Sequence, residues 1–418
     1  MLTKQSLTQL QKKPWSGQAL AVRPRSMASG TFLLENGRRT MMKRTPSGHR
    51  SISVREFGGA GSAPLIIRCD EKDVKLTTYN ILSPPLASPQ QFPSCDQKDL
   101  LKEVRLPKIF ARLQKAADEE RIIALQEVDL EWAGKLHSFF AERGYAVVFA
   151  QYGKQTNGYM GVMLAWPTRC YEAVDVEICR LADTAPKNAW PVQKSKTGLA
   201  RFGYLTYDGL TEILGCKPPE LDRNSDGEWT LAQNRYNEAI FAKLKRRGTS
   251  SVFSVGTYHM PCLFGTTEKV RAVNIHSRLL LNRLSKFADG TPVALMGDFN
   301  FMPGTTPYQL LERGGSAEGI QVVKEVNILD RLPSCQFQSL QSAYKAFYGQ
   351  EPLFTNYALS GSQREPFMGT LDYIWFSPDK LKVVACEKLL RKEDVRSPFP
   401  NNDEPSDHLP LNATLRFI

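Results

Sequence analysis

Six short segments put polar, metal-competent side chains at the ends of apolar runs. They are Tyr79-Asn80-Ile81-Leu82, Gln126-Glu127-Val128, Tyr258-His259-Met260-Pro261, Gly297-Asp298-Phe299-Asn300, Leu371-Asp372-Tyr373-Ile374 and Ser406-Asp407-His408. An ionised carboxylate at the buried end of a strand is costly unless a cation or hydrogen bonds compensate it. Glu127, Asp298 and Asp372, with the amides Asn80 and Asn300, describe an oxygen-rich pocket suited to a hard ion such as Mg²⁺, with Mn²⁺ as a substitute. His259 and His408 add groups able to move or hold a proton. Each segment taken singly has a plainer reading. Glu127 could be a surface cap, Gly297–Asn300 a turn, His259 a satisfied strand histidine, and Ser406–His408 a solvated loop. Six such segments in one chain make those readings poor ones. His49, His137 and His276 lack any such context.

These residues need elements to position them. Val74–Leu82 alternates and is rich in β-branched residues, so it reads as a strand, and the continuous apolar run Ile122–Val128 reads as a strand buried on both faces. Leu106, Ile109, Phe110 and Leu113 recur at helical spacing. A helix is predicted over Trp132–Arg143, and strands over Ala146–Ala150, Tyr159–Trp166, Ala239–Leu244 and Val252–Tyr258. A further helix is predicted over Glu268–Phe287, then strands over Pro292–Asp298, Leu371–Phe376 and Leu411–Phe417. Residues 183–235, rich in polar and turn residues, read as a loop insertion. Strands interleaved with helices predict a layered α/β protein.

The chain has 418 residues and a net charge of +11. Eleven basic residues but only Glu35 and Glu56 fall within residues 1–56. Nine of the eleven net charges therefore sit in that segment, and the remainder is nearly neutral. Residues 1–63 are basic, rich in Ser and poor in acids, which suits either a mitochondrial transit peptide or a disordered tail of a cytoplasmic protein. The catalytic part is then expected over residues 64–418. No apolar run reaches membrane-spanning length, so no membrane partner is expected. The eight cysteines form no CxxC pair and read as reduced intracellular thiols.

In order and wording, the motifs from about residue 74 to 418 resemble the endonuclease/exonuclease/phosphatase superfamily, whose segments run YNIL, QEV, a THL-like histidine, GDFN, LDYI and SDH. Gly297–Tyr308 (GDFNFMPGTTPY), then Phe354–Tyr357 (FTNY) and Gly369–Ile374 (GTLDYI), resemble its deadenylase-like branch of carbon catabolite repressor-type poly(A) nucleases, nocturnin and angel. The chain departs from that pattern where Tyr258-His259-Met260 replaces THL, and it has none of the leucine-rich repeats that serve some relatives as an adaptor region.

The resemblance implies a four-layer α/β/β/α sandwich of two packed mixed sheets flanked by helices. It implies Glu127 as the central Mg²⁺ ligand supported by Asn80, Asp298 and Asn300 about the attacking water and scissile phosphate, His259 on the phosphate, and His408 oriented by Asp372. It also implies base stacking by Phe367, with Tyr357 nearby. Phe264 stands where poly(A) nucleases of the branch have a proline, five residues after the histidine, and two aromatic faces could sandwich a base, although both phenylalanines could equally be core residues. The activity implied is a 3′-exoribonuclease on single-stranded RNA. The alternatives are a phosphatase or phosphodiesterase on a nucleotide or other small phosphate ester, and a catalytically inactive RNA-binding relative.

Overall fold

The computed structural model describes residues 31–34, 38–44, 50–54, 73–186, 188–191, 227–335, 337, 339–361 and 363–418. Its strands, in chain order, are β1 Thr31–Leu34, β2 Arg38–Arg44, β3 Arg50–Val54, β4 Asp73–Asn80, β5 Ile122–Val128, β6 Tyr145–Gln151, β7 Gly161–Pro167, β8 Tyr171–Arg180 and β9 Glu238–Arg246. They continue as β10 Val252–Tyr258, β11 Val293–Asp298, β12 Gln341–Ser342, β13 Asn356–Ala358, β14 Phe367–Gly369, β15 Asp372–Phe376, β16 Leu381–Cys386 and β17 Leu411–Phe417. The long helices are α1 Lys102–Asp118, α2 Leu130–Glu142 and α3 Thr267–Ala288.

One sheet runs β16-β17-β4-β5-β7-β6, and the second runs β8-β9-β10-β11-β15-β12 with β3, β2 and β1 added outside β8. Each sheet holds a parallel pair, β4–β5 and β10–β11, and each pair is joined by a crossover that contains a long helix. The two sheets pack face to face through a core that includes Leu76, Ile122, Ala124, Leu164, Ile240, Val255, Met296 and Ile374. On its other face β5 presents Ile123 and Leu125 to α1 and α2 through Leu113, Leu136 and Phe140. Alternate residues of one strand thus feed two cores, which explains why Ile122–Val128 shows no polar alternation. The second sheet packs against α3 through Phe241, Leu280 and Leu284. The four-layer α/β/β/α sandwich is therefore present.

Helix starts are set locally. Asp129 accepts from the Trp132 amide at 2.7 Å to begin α2, and Thr266 accepts from Lys269 at 3.3 Å to begin α3. The C-terminal ends of β4, β5, β10 and β11 lie at one edge of the sandwich. The antiparallel strands β15 and β17 begin at that same edge, where Asp372 pairs with Asp298 and Leu411 with Thr78. Residues far apart in sequence converge there.

The strands β1–β3 lie within the basic segment 1–63. The unpaired backbone groups along the edge of β8 template the first of these additions, with Arg50–Ile52 pairing to β8. Of the predicted insertion, residues 192–226 lie outside the described residues, and Gly227–Gln233 forms a helix. Among the described residues five cysteines are free thiols, but Cys170 is disulfide-bonded, a pairing that sequence spacing does not report.

Candidate active site

Glu127 is the sixth residue of β5, and its φ of 58° coincides with a register shift between Gln126 and Val128. This bulge re-aims the carboxylate away from the regular strand alternation, and the Ser83 amide donates to its Oε2 at 3.1 Å. Asn80, at the end of the neighbouring β4, donates from Nδ2 to Glu127 Oε1 and to Asp298 Oδ2, each at 3.0 Å. Its Oδ1 accepts from the Leu82 amide at 3.0 Å. Asn80, placed with Glu127 at the metal by the sequence, ties the two carboxylates together.

Asp298 ends β11. A Cβ on the preceding Gly297 would lie 1.9 Å from the Tyr258 carbonyl oxygen, so only glycine lets β11 approach β10 closely enough at this point. Asn300 adopts a left-handed φ of 48°, which asparagine tolerates. Its amide nitrogen donates to Asp298 Oδ1 at 2.9 Å, and its Nδ2 lies 3.0 Å from both His259 Nε2 and the Met260 carbonyl. His259, one residue past β10, points Nε2 to within 3.4 Å of Asp298 Oδ2, and its Nδ1 meets the Tyr152 hydroxyl at 2.6 Å. From the opposite side His408 presents Nε2 at 3.7 Å to the same Asp298 oxygen. Its Nδ1 bonds Asp372 Oδ2 at 2.7 Å, and Thr355 donates to that oxygen at 2.7 Å. A carboxylate on Nδ1 fixes the ring so that Nε2 faces the cluster.

The electrostatics follow from this crowding. Burial disfavours charge on Asp298, but His408, His259 and the Asn300 amide outweigh it and hold the carboxyl at about 2. Burial also opposes charge on His408, yet Asp372, Asp407 and Asp298 together raise it well above the ordinary histidine value. Asp407 is lifted by burial and by Glu127. Among the described residues no Lys or Arg forms an ion pair with Glu127, Asp298 or Asp372, and Asp372 Oδ1 is buried without a hydrogen-bond partner. Ligating atoms of Glu127, His259 and Asp298 lie within 4.8 Å of one another, as do those of Asp298, Asp372 and His408. A group of acids rich in hard oxygen donors and poor in cations fits a divalent ion.

The aromatic candidates separate. Phe264 is 45% exposed on the loop after His259. Phe367 is half-buried on β14, where its ring and Met302 lie so close over Gly369 that a Cβ there would collide with both. Tyr357 packs against Phe354 and Phe399, with centroids 6.0 and 5.7 Å apart. It also supports the SDH loop, its amide donating to the Asp407 carbonyl at 3.1 Å. Sequence reasoning passed over Tyr152, Ser83, Thr355 and Arg105. Thr355 lies within the FTNY segment and was recoverable from it. The others act through contacts that no local pattern announces.

Residues 77–408 match the model of the Endonuclease/Exonuclease/phosphatase family. The chain belongs to that family. Its curated relatives fall in the deadenylase-like branch. It is 28% identical to the CCR4-Not complex 3′-5′-exoribonuclease subunit Ccr4 of Phaeosphaeria nodorum, over 82% of this chain and 59% of that protein. It is 26% identical to the nocturnin of Drosophila melanogaster, over 46% of this chain and 29% of that protein. The chain thus spans at most 59% of these relatives' lengths. Among solved structures, ANGEL2 in complex with adenosine-2′,3′-vanadate superposes with a TM-score of 0.58 at 19% identity, covering 83% of this chain and 96% of that one. This shows the shared fold. The family comprises nucleases and phosphatases that are generally dependent on divalent metals, and the acid and histidine cluster lies between its first and last matched residues.

Proposed function

We propose that this family member is a Mg²⁺-dependent phosphodiester hydrolase, a 3′-exoribonuclease of single-stranded RNA, with poly(A) the first substrate to try. The observation that carries the proposal is the cluster itself, in which Asn80 ties Glu127 to Asp298 beside the His408–Asp372 pair. Glu127 and Asp298 would hold the ion, with Asp372 and Asp407 close by. A bound divalent ion in such a site lowers the pKa of water and neutralises phosphate oxygens. The chain's own groups do the rest. His259 and Asn300 converge on one side of Asp298, where the His259 ring would face a phosphate oxygen and Asn300 would steady both. His408, oriented by Asp372, would meet the phosphate or the attacking water from the other side. Phe264 and Phe367 supply faces for a base, each stack contributing on the order of 1–3 kcal/mol.

The RNA reading draws on the relatives named exoribonuclease subunits. A second reading, phosphatase action on a small phosphate ester, draws on ANGEL2, described as a 2′,3′-cyclic phosphatase. The separating experiment incubates the full chain with 5′-labelled oligo(A), mixed RNA, DNA and a 2′-phosphorylated nucleotide, each with and without Mg²⁺. A ladder shortening from the 3′ end on RNA supports the proposal. Phosphate release from the nucleotide with intact RNA selects the second reading.

A further inference from the structure

His408 and His259 flank the same Asp298 oxygen, but they are held differently. His408 is backed by a carboxylate, Asp372, which is fixed in turn by Thr355. Behind His259 there is no carboxylate partner among the described residues. Its Nδ1 meets the phenol of Tyr152 at 2.6 Å, and the two rings stand edge-on at 70° with centroids 6.2 Å apart. Tyr152 directly follows β6, the edge strand of the first sheet, whereas His259 directly follows β10 in the second. The contact therefore crosses the sandwich at the rim of the site. Tyr152 is itself well anchored, since its amide and that of Gly153 both donate to the Met160 carbonyl, at 3.2 and 2.7 Å. The far side of His259 is also fixed, by Asn237 donating to its carbonyl at 2.8 Å.

We infer that Tyr152 is a positioning residue for His259: its hydroxyl engages Nδ1 and so holds the ring with Nε2 against Asp298 and Asn300, on the side the substrate phosphate would meet. The assignment rests on the proposed role of His259. A ring with a free Nδ1 could rotate, and Nε2 would then leave the cluster for part of the time. A phenol differs from a carboxylate in that it either donates or accepts. It can therefore hold the ring without fixing its charge, so the two histidines of the site are unlike each other by construction. Nothing in the local sequence marks Tyr152, which lies 107 residues from its partner.

The test uses Tyr152→Phe, which keeps the ring and removes only the hydroxyl. Turnover should fall about 10- to 100-fold, the usual effect of removing a partner that orients a site histidine. KM and the melting temperature should stay unchanged. In a His259→Ala background the same substitution should cost nothing further, because the group it positions is gone. Independently of activity, ¹⁵N spectra of the histidine rings should show the His259 Nδ1 resonance shifting in Tyr152→Phe as its hydrogen-bond partner is lost, with His408 unmoved. Full turnover in Tyr152→Phe, an equal loss in both backgrounds, or unchanged His259 resonances would overturn the inference. If the wild-type chain hydrolyses none of the phosphodiesters, the functional proposal fails instead, and the ring spectra alone decide the role of Tyr152.

Discussion

Asp298 is the acid on which both histidines and Asn80 converge, so substitutions around it should separate by what each partner supplies. His408→Ala should reduce turnover by roughly 10²- to 10⁴-fold with little change in RNA affinity, the range for a positioned acid–base group. Steady-state kinetics beside an equilibrium binding assay checks this, and lost affinity with intact saturated turnover would contradict it. Replacing Phe264 or Phe367 with Ala should weaken oligonucleotide processing by on the order of 1–3 kcal/mol per lost stack, while a base-free chromogenic phosphodiester is cleaved as before. Equal loss on both substrates in a stable protein would count against stacking. The meeting of Glu127, Asp298, Asn300, Asp372 and His408 at one place was legible in the sequence from the order and wording of their motifs. The left-handed φ of Glu127 and Asn300 was not legible, nor was the engagement of the Asn80 oxygen by Leu82. Those depend on how two strands meet.

At the scale of elements, the site is an edge where strand ends are tied together, and Arg105 is the tie best hidden from sequence. It projects from α1, fully buried, and donates to the carbonyls of Ile81 and Leu82 after β4 and of Pro405 before His408, at 2.7, 2.6 and 2.5 Å. Its guanidinium lies 5.2 Å from the Trp132 ring centroid. Arg105→Met should destabilise the fold by on the order of 3 kcal/mol, since the freed carbonyls stay buried. Denaturant unfolding measures it, and a change under about 1 kcal/mol would show that the clamp is dispensable. His276, on α3, is buried between the Tyr258 hydroxyl and the Ala232 carbonyl, and burial pushes it down to about 4. The unfolded chain therefore binds the extra proton between about pH 6.5 and 4. The contribution of neutral His276 is complete above that window and is lost as pH falls through it. His276→Gln should flatten the fall of melting temperature over that interval, and an unchanged slope would refute the assignment. Most of the main strands and α3 were readable from periodicity within a few residues, but β8 and β16 were missed, each carrying a register shift, at Ala173/Asp175 and Val383/Ala385, that breaks the alternation. The short strands β12, β13 and β14 were not readable either, because runs of two or three residues carry no period.

For the whole molecule, the alternation of strands and helices predicted only a layered α/β protein, and the four-layer sandwich came from the resemblance of the motifs; the strand order depends on crossovers that no single segment reveals. The charge asymmetry remains a proposal about residues 1–63. Fused to a fluorescent reporter, that segment should direct it to mitochondria, and a uniform cytosolic signal would leave it a basic tail. The account as a whole turns on one claim, that Glu127 and Asp298 assemble a metal-dependent phosphodiesterase centre at the sandwich edge. The direct test strips divalent ions from the full chain, then titrates Mg²⁺ while following cleavage of end-labelled oligo(A), for the wild type and Glu127→Ala in parallel, with melting curves for both. The account predicts activity restored by Mg²⁺ in the wild type, and none at any Mg²⁺ concentration in a variant that still melts cooperatively. Near-normal turnover in Glu127→Ala, or wild-type cleavage indifferent to Mg²⁺, would contradict it.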